Sequence, residues 1–263
     1  MTEPDYDKVD AFVDANADSI RLHAKTIWEY AEISYKEFKS SAFVAELLES
    51  KGFVISDRGI GGLETSWIAT YGTGSPVIGI MVEYDALPSL GNALKPTQTP
   101  AESGNTNGHG CGHNLIGSSS IGAALGLKAL LESDSSVNGT IQVYGCPAEE
   151  MLNGKNYMAM DGAFEKADVV LHNHPGCFNT VWNFHSAGSV DLNVEFFGKT
   201  SHAGAMPWGG RSALHALELM MHALNQMREQ MVPSARLHYQ VLSGGTAVNV
   251  IPDYAKLLVR YRG

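Results

Sequence analysis

Apolar positions along the first 180 or so residues alternate between helical spacing and short continuous runs. Residues 6–32 and 37–50 carry apolar side chains every three or four positions, which predicts two amphipathic helices. The same reasoning predicts two more helices, at 114–132 and 156–165. It also predicts five strands, at 53–56, 64–71, 76–83, 139–145 and 167–172. Because strands and helices alternate, this part of the chain predicts an α/β fold built on one sheet.

The pattern changes near residue 184. Residues 189–197 alternate strictly between apolar and polar side chains, which is typical of a half-exposed strand. A helix with one apolar face is predicted at 210–230, followed by strands at 236–242 and 254–262. This β-α-β-β order matches the first part of a ferredoxin-like α+β unit. We therefore predict two domains, residues 1–183 and 184–263, with the second incomplete at its C-terminus.

Charge and cysteine content narrow the class of protein. The chain of 263 residues has a net charge of −10, which argues against a nucleic-acid or anionic-membrane partner. Its first ten residues are acidic and polar, so we expect no secretory signal, and no apolar run approaches the ~20 residues that span a bilayer. Three cysteines, an odd count, favour reduced thiols and a cytoplasmic location over a disulfide framework.

Three short segments combine side chains that bind metals. They are Gly108–Asn114, with one cysteine and two histidines, Ala148–Glu150, with paired carboxylates, and His172–Pro175. Thiolate and imidazole select transition metals, and carboxylates complete the charge. Three glycines in the first segment would let the backbone approach a ligand. All three segments follow predicted strands, where open α/β sheets place their sites. Together they favour a metal-dependent hydrolase in which one glutamate binds metal and its neighbour accepts a proton.

Each of these residues taken alone has a structural interpretation. Cys111 could be a small buried hydrophobe, and His113 a hydrogen-bonded core residue. Adjacent glutamates such as Glu149 and Glu150 usually lie on a solvent-exposed surface. His172 and His174 would share one face of a strand, and one of them could be structural. Asp85 could orient a ligand histidine or cap a turn. The combination of the segments is what favours a metal site.

The chain resembles the aminoacylase/carboxypeptidase-type family of metal-dependent amidohydrolases, in its hippurate- and auxin-conjugate-hydrolase branch and especially the aminobenzoyl-glutamate type. The resemblance covers essentially the whole sequence and is carried by Glu83–Pro88, Gly108–Asn114, Gly145–Glu150, His174-Pro175, Gly198–Ala203 and Asn249–Pro252. It implies a zinc-peptidase-like catalytic domain, with helices around a mixed sheet, and an α+β ferredoxin-like lid and dimerisation domain. Members of the family are longer, so the resemblance implies that a last metal-ligand histidine lies outside this sequence.

The resemblance also implies a role for each matching residue. The ligands of two divalent ions, Zn or Mn, would be Cys111, His113, Glu150 and His174. Glu149 would be the general base, and Asp85 the acid beside the metal centre. His202 would reach the site of a neighbouring subunit and stabilise the oxyanion, while Asn249 would lie near the carboxylate of the substrate.

The implied activity is cleavage of the amide bond of N-acyl amino acids such as aminobenzoyl-glutamate. Dipeptides and hippurate- or auxin-type conjugates are alternative substrates. The implied partner is a second copy bound through the lid domain, or a paralogous subunit.

Two interpretations from other classes stay open at this point. One is a thiol amidohydrolase with Cys111 as nucleophile and His109 or His113 as base, which would survive removal of metal. The other is an inactive relative that binds a metal or peptide, and the presence of Glu149 argues against it.

Overall fold

The computed structural model of the protein describes residues 6–151, 153–181 and 187–263. By its backbone contacts the chain divides into two units, Met1–Asn179 and Thr180–Gly263. The domain junction predicted between residues 183 and 184 falls outside the described residues, so its position stays a prediction.

A five-stranded mixed sheet organises the first unit. Its strands are β1 (Val54–Arg58), β2 (Trp67–Thr73), β3 (Val77–Glu83), β4 (Gly139–Cys146) and β5 (Val169–Leu171). They lie in the order β1-β2-β4-β3-β5. Strand β3 is parallel to both β4 and β5, whereas β2 is antiparallel to β1 and β4. The predicted α/β class with a mixed sheet is confirmed.

The helices of this unit are α1 (Tyr6–Ala15), α2 (Ala17–Tyr30), α3 (Phe38–Ser50), α4 (His113–Ser133) and α5 (Gly154–Met160). Two predicted extents are wrong. The segment 6–32 is two helices, because Asn16 turns its side-chain amide onto the Phe12 carbonyl at 2.8 Å and competes with the helical hydrogen bonds. The helix predicted at 156–165 ends at Met160, because Gly162 takes a left-handed conformation with φ of 77°.

Helix α4 lies at the centre of this unit, against β3 on one side and α1 and α2 on the other. It packs closely, since a Cβ at Gly117 would lie 2.8 Å from the Glu83 carbonyl oxygen. Among the described residues it is also the one helix long and apolar enough to cross a membrane, which the sequence had not led us to expect. Because 61% of its most apolar stretch is buried inside the unit, we assign it as a core helix.

The second unit is an antiparallel sheet covered by one long helix. Its elements are β6 (Ser189–Phe197), α6 (Ala213–Met227), β7 (Arg236–Ser243) and β8 (Tyr254–Arg262). The strands lie in the order β6-β8-β7, and Leu217 of α6 and Leu257 of β8 are both part of one small apolar core. The predicted β-α-β-β order is the one observed.

The three parallel strands of the first unit carry the chemistry at one edge. Strands β3, β4 and β5 end at Glu83, Cys146 and Leu171, and parallel strands have their carboxyl ends at the same edge of a sheet. Helix α4 begins at His113 beside them. The segments singled out in the sequence therefore meet at this edge.

Candidate metal centre

His113 is the first residue of α4, and its side chain is fully buried. Its Nδ1 lies 2.8 Å from the Asp85 carboxylate and 2.9 Å from the Asp85 carbonyl oxygen. Both atoms are acceptors, so Nδ1 carries a proton, and Nε2 presents a lone pair whenever the ring is neutral. That nitrogen makes no hydrogen bond and lies 3.3 Å from Glu83 Oε2 and 3.5 Å from Glu149 Oε2.

The surroundings of His113 favour a positive charge. Burial lowers the pKa of this imidazole, but its hydrogen bond to Asp85 and the charges of Asp85, Glu83 and Glu150 raise it to about 9. The same carboxylates would stabilise a metal cation at Nε2 in place of a proton.

Cys111 and His174 face each other beside His113. The Cys111 thiol lies 3.2 Å from His174 Nε2, and His174 Nδ1 lies 2.9 Å from the Pro175 carbonyl oxygen. This second imidazole therefore also has Nδ1 occupied by an acceptor, and its Nε2 faces the Cys111 thiol, where both could bind the same cation. The ligand atoms of Cys111, His113 and His174 all lie within 4.8 Å of one another.

The paired glutamates complete the cluster. The ligand atoms of His113, Glu149 and Glu150 also lie within 4.8 Å of one another, so the two groups share His113. The backbone N–H of Glu150 donates to Asp85 at 2.9 Å, while its Oε1 is buried without a hydrogen bond. Burial raises the pKa of Glu150, and the charge of His113 opposes that rise.

The turn before the glutamates is itself held in place. Ala148 has a left-handed φ of 55°, which is unfavourable for alanine. Its N–H donates to the buried Glu37 carboxylate at 2.8 Å. This contact holds the chain in the conformation that turns Glu149 and Glu150 toward His113.

These residues fit a divalent transition-metal ion. A thiol, two imidazoles and a carboxylate are the ligand types of zinc-like sites. Ligand atoms on one tetrahedral ion are roughly 3–4 Å apart, since each bond is about 2.0–2.3 Å. The 3.2 Å between Cys111 and His174 falls in that range, and the unbonded His113 Nε2 and Glu150 Oε1 are atoms that an ion would satisfy.

The side chain of Asp85 connects three parts of the site. Besides His113 it accepts hydrogen bonds from the Ser34 hydroxyl at 2.8 Å and from the Glu150 N–H at 2.9 Å. Burial raises the pKa of Asp85, but the contacts with His113, Glu150 and Ser34 outweigh it and lower the pKa. An ionised Asp85 therefore fixes the orientation of the His113 ring.

Sequence reasoning missed an ion pair between a buried glutamate and a partly buried lysine beside these residues. The Glu83 carboxylate, at the end of β3, pairs with the Lys155 ammonium and lies 3.0 Å from His172 Nε2. Burial raises the pKa of Glu83, but the His172 hydrogen bond and the charges of Lys155 and His113 lower it to about 2. A charged residue ending a strand buried on both faces was the available signal, because such a residue needs a partner.

His172 and His174 do not share the face of a strand as predicted. Strand β5 ends at Leu171, so both histidines lie in the following loop. His172 faces Glu83 and His174 faces Cys111. The backbone is no longer extended there, and the alternation of a strand does not apply.

The glycines of the Cys-His segment make close contact with the chain itself. A Cβ at Gly108 would lie 2.0 Å from the Leu90 carbonyl oxygen, and one at Gly112 would lie 3.1 Å from Pro175. Gly112 also has φ of 88°, which favours glycine just before α4. We expected these glycines to let the backbone approach a ligand. They instead let it pack against the loop 89–107 and against Pro175.

The thiol-nucleophile alternative has little geometric support. Burial, followed by the charges of Glu150 and Glu149, raises the pKa of Cys111 to about 11, so the free thiol is protonated at neutral pH. His109 Nε2 lies 3.0 Å from the Ile27 carbonyl oxygen, and His113 Nδ1 lies against Asp85.

The second unit brings the remaining predicted residues together. His202 Nδ1 accepts hydrogen bonds from the N–H groups of Gly204 and Ala205 at 3.1 and 3.0 Å. The neutral ring therefore carries its proton on Nε2, as an exposed donor. The Ala203 N–H donates to the Asn249 carbonyl oxygen at 3.0 Å, so Asn249 lies beside this segment. The roles of both residues stay predictions.

Comparison with known proteins shows which sequences and structures this chain is similar to. Residues 184–263 match the family described as the peptidase dimerisation domain. The chain is 36% identical over 258 residues to one subunit of the p-aminobenzoyl-glutamate hydrolase of Escherichia coli, an alignment that covers 98% of this chain and 53% of that protein. The second domain therefore belongs to the M20-type peptidase dimerisation family.

Two further matches extend the comparison. The Xaa-Arg dipeptidase of Mus musculus is 33% identical, over 95% of this chain and 56% of that protein. A crystal structure from Bacillus subtilis, described as a dinuclear metal binding peptidase from the M20 family, has the same fold. It matches with a TM-score of 0.60 and 23% identity, over 96% of this chain and 65% of that chain. The chain spans about half the length of the two hydrolase relatives it matches in sequence.

Proposed function

We propose that this chain carries the metal centre of an amidohydrolase that cleaves the amide bond of N-acyl amino acids. The observation that carries the proposal is the convergence of Cys111, His113, Glu150 and His174 around open ligand atoms, with Glu149 beside them. The names of two relatives, p-aminobenzoyl-glutamate hydrolase and Xaa-Arg dipeptidase, support an acyl amino acid or a dipeptide as substrate.

Zn or Mn is the proposed metal. A bound divalent ion would polarise the scissile carbonyl and lower the pKa of water. Cys111 and His174 form one group of ligand atoms with His113, and Glu150 belongs to a second group that shares this imidazole, so ligands are available in both groups. We propose two ions per site. The solved relative from Bacillus subtilis, described as dinuclear, supports that number.

Glu149 is the proposed general base. Its carboxylate is partly exposed and lies 3.5 Å from His113 Nε2, beside the proposed metal position and open to water. From there it can take the proton of the attacking water and deliver it to the leaving nitrogen. Its neighbour Glu150 is tied to Asp85 through its backbone N–H, so the two carboxylates have different tasks.

His202 is the proposed donor to the oxyanion. Its Nδ1 is occupied by two backbone N–H groups, so Nε2–H is the free donor. A fixed donor of this kind stabilises charge that develops in the transition state. We propose that it acts in the site of a second subunit and that the peptidase dimerisation domain joins the two copies. A paralogous partner is the alternative, supported by the Escherichia coli relative, which is named as one of the subunits of its hydrolase.

Asn249 would lie near the carboxylate of the substrate.

The test is an assay of the protein at full natural length. The Zn- or Mn-loaded enzyme is offered aminobenzoyl-glutamate, hippurate, acetyl-amino acids and dipeptides, before and after treatment with a chelator. Hydrolysis that is lost with the metal and restored by its return supports the proposal. Turnover that survives complete metal removal would support the thiol mechanism, and tight metal binding without turnover of any substrate would support a binding protein. We also propose a cytoplasmic location, supported by three free cysteines.

A further inference from the structure

The buried carboxylate of Glu83 has two different environments at its two oxygens. Oε1 pairs with the Lys155 ammonium and with His172 Nε2 at 3.0 Å. Oε2 lies 3.3 Å from His113 Nε2, the nitrogen that would bind the ion. Of the carboxylates within 4.0 Å of this imidazole ring, those of Glu83 and Asp85 are almost completely buried, whereas those of Glu149 and Glu150 are partly exposed. Glu83 is thus placed where a carboxylate could become a further ligand.

Lys155 holds Glu83 in this position from a separate element. It is the second residue of α5, which follows the loop of Glu149 and Glu150. Lys155 is partly buried and Glu83 is almost completely buried. Charges removed from water in this way are unfavourable alone and are tolerated together because each neutralises the other. The pair therefore fixes α5 to the end of β3 at the edge of the metal centre.

We propose that Lys155 is a positioning residue that keeps Glu83 from coordinating the ion, so that the ion pair sets the affinity and number of metal ions at the proposed centre. This inference assumes the metal site of the proposed function. Lys155 is a fixed positive charge that the protein supplies. It pairs with the Glu83 carboxylate, which an additional or more tightly held ion would otherwise use as a ligand.

The proposal predicts opposite effects for the two halves of the pair. In Lys155→Met, the Glu83 carboxylate loses its cation and faces the ion with its full charge, so divalent metal binds more tightly. In Glu83→Gln, an unpaired ammonium is left beside the ion and repels it, so binding weakens. The double variant removes both charges and should return the affinity toward that of the wild type. A purely structural pair would not give effects of opposite sign.

The experiment measures metal binding directly, on the protein at full natural length. Dissociation constants for Zn²⁺ and Mn²⁺ are obtained by competition with a chromophoric chelator, and bound metal is counted by elemental analysis. We expect Lys155→Met to bind about tenfold more tightly or to hold an additional ion, and Glu83→Gln to bind about tenfold more weakly. Lys155→Arg, the matched control, keeps the charge and should stay within about threefold of the wild type.

Each outcome is decisive. Thermal unfolding without metal identifies the variants that fold, and if Lys155→Met does not, Lys155→Gln removes the charge while keeping a hydrogen-bond donor for Glu83. Equal losses of affinity in both single variants, with no recovery in the double variant, would overturn the inference. A wild-type protein that binds neither metal would instead overturn the proposed function, whereas a metal-binding wild type with unaffected variants would overturn only the role of Lys155.

Discussion

Replacing Asp85 by asparagine tests how the candidate centre prepares a ligand. One oxygen of Asp85 accepts the His113 Nδ1 proton at 2.8 Å, and the other accepts from the Ser34 hydroxyl and the Glu150 N–H. Asparagine has a single oxygen, which is needed for the two donors on the second side. Its NH₂ group would then face Nδ1–H, and two donors would oppose each other. Moving the proton of His113 to Nε2 relieves this conflict but blocks the nitrogen that binds metal.

The loss of Zn²⁺ affinity in Asp85→Asn should be large but incomplete. The Asp85 carbonyl oxygen, 2.9 Å from His113 Nδ1, still accepts the proton in the variant and preserves part of the correct tautomer. Partners of metal-ligating histidines typically contribute about 10–100-fold in affinity. We therefore expect Zn²⁺ to bind about 10–100-fold more weakly, which is about 1.4–2.8 kcal/mol at 25 °C.

The assay is Zn²⁺ competition with a chelator, combined with ¹⁵N NMR of the His113 ring to identify the protonated nitrogen. Ser34→Ala is the matched control, because it removes one uncharged donor to Asp85 and leaves the His113 tautomer unchanged. It should change the affinity by less than about threefold. Wild-type affinity in Asp85→Asn, or an equal loss in Ser34→Ala, would refute the reasoning.

Three other predictions follow from the site and its surroundings. Glu149→Gln should lower turnover of the full-length enzyme by about 10²–10⁴-fold with unchanged metal content, and a variant retaining more than about a tenth of wild-type turnover would argue against a general base. His202→Ala should lower turnover more than metal affinity, and mixing it with Glu149→Gln should restore some activity in mixed dimers; no recovery in a preparation that exchanges subunits would place His202 outside the neighbouring site. His109 should destabilise the fold in acid. Burial and the charge of His113 lower the pKa of this imidazole from 6.5 to about 4, although its hydrogen bond to Ile27 raises the pKa. A depressed pKa means that this stability is complete above pH 6.5 and is lost as the pH falls through 4, by at most about 3 kcal/mol. The free energy of unfolding of His109→Gln, measured with urea, should therefore depend less on pH between 6.5 and 4, and an unchanged slope would contradict this assignment.

Local pattern in the sequence was enough to predict the class of fold and most of its elements. Apolar spacing is a property of neighbouring residues, so it marks the helix that starts beside His113 and the strand that ends at Glu83. The metal-binding segments could be found because side chains of the required types cluster within a few residues of strand ends. The helix break at Asn16 was missed because a side-chain hydrogen bond decided it.

Only the tertiary structure decided how these side chains pair. The choice of Lys155 as the partner of Glu83, and of His174 as the neighbour of Cys111, is made between segments that are far apart in the chain. Packing at one edge of the sheet brings them together, and burial then requires that each charge or polar atom find a partner. The tautomers of His113 and His202 follow from acceptors and donors that surround the rings in space, and no spacing of residues encodes them.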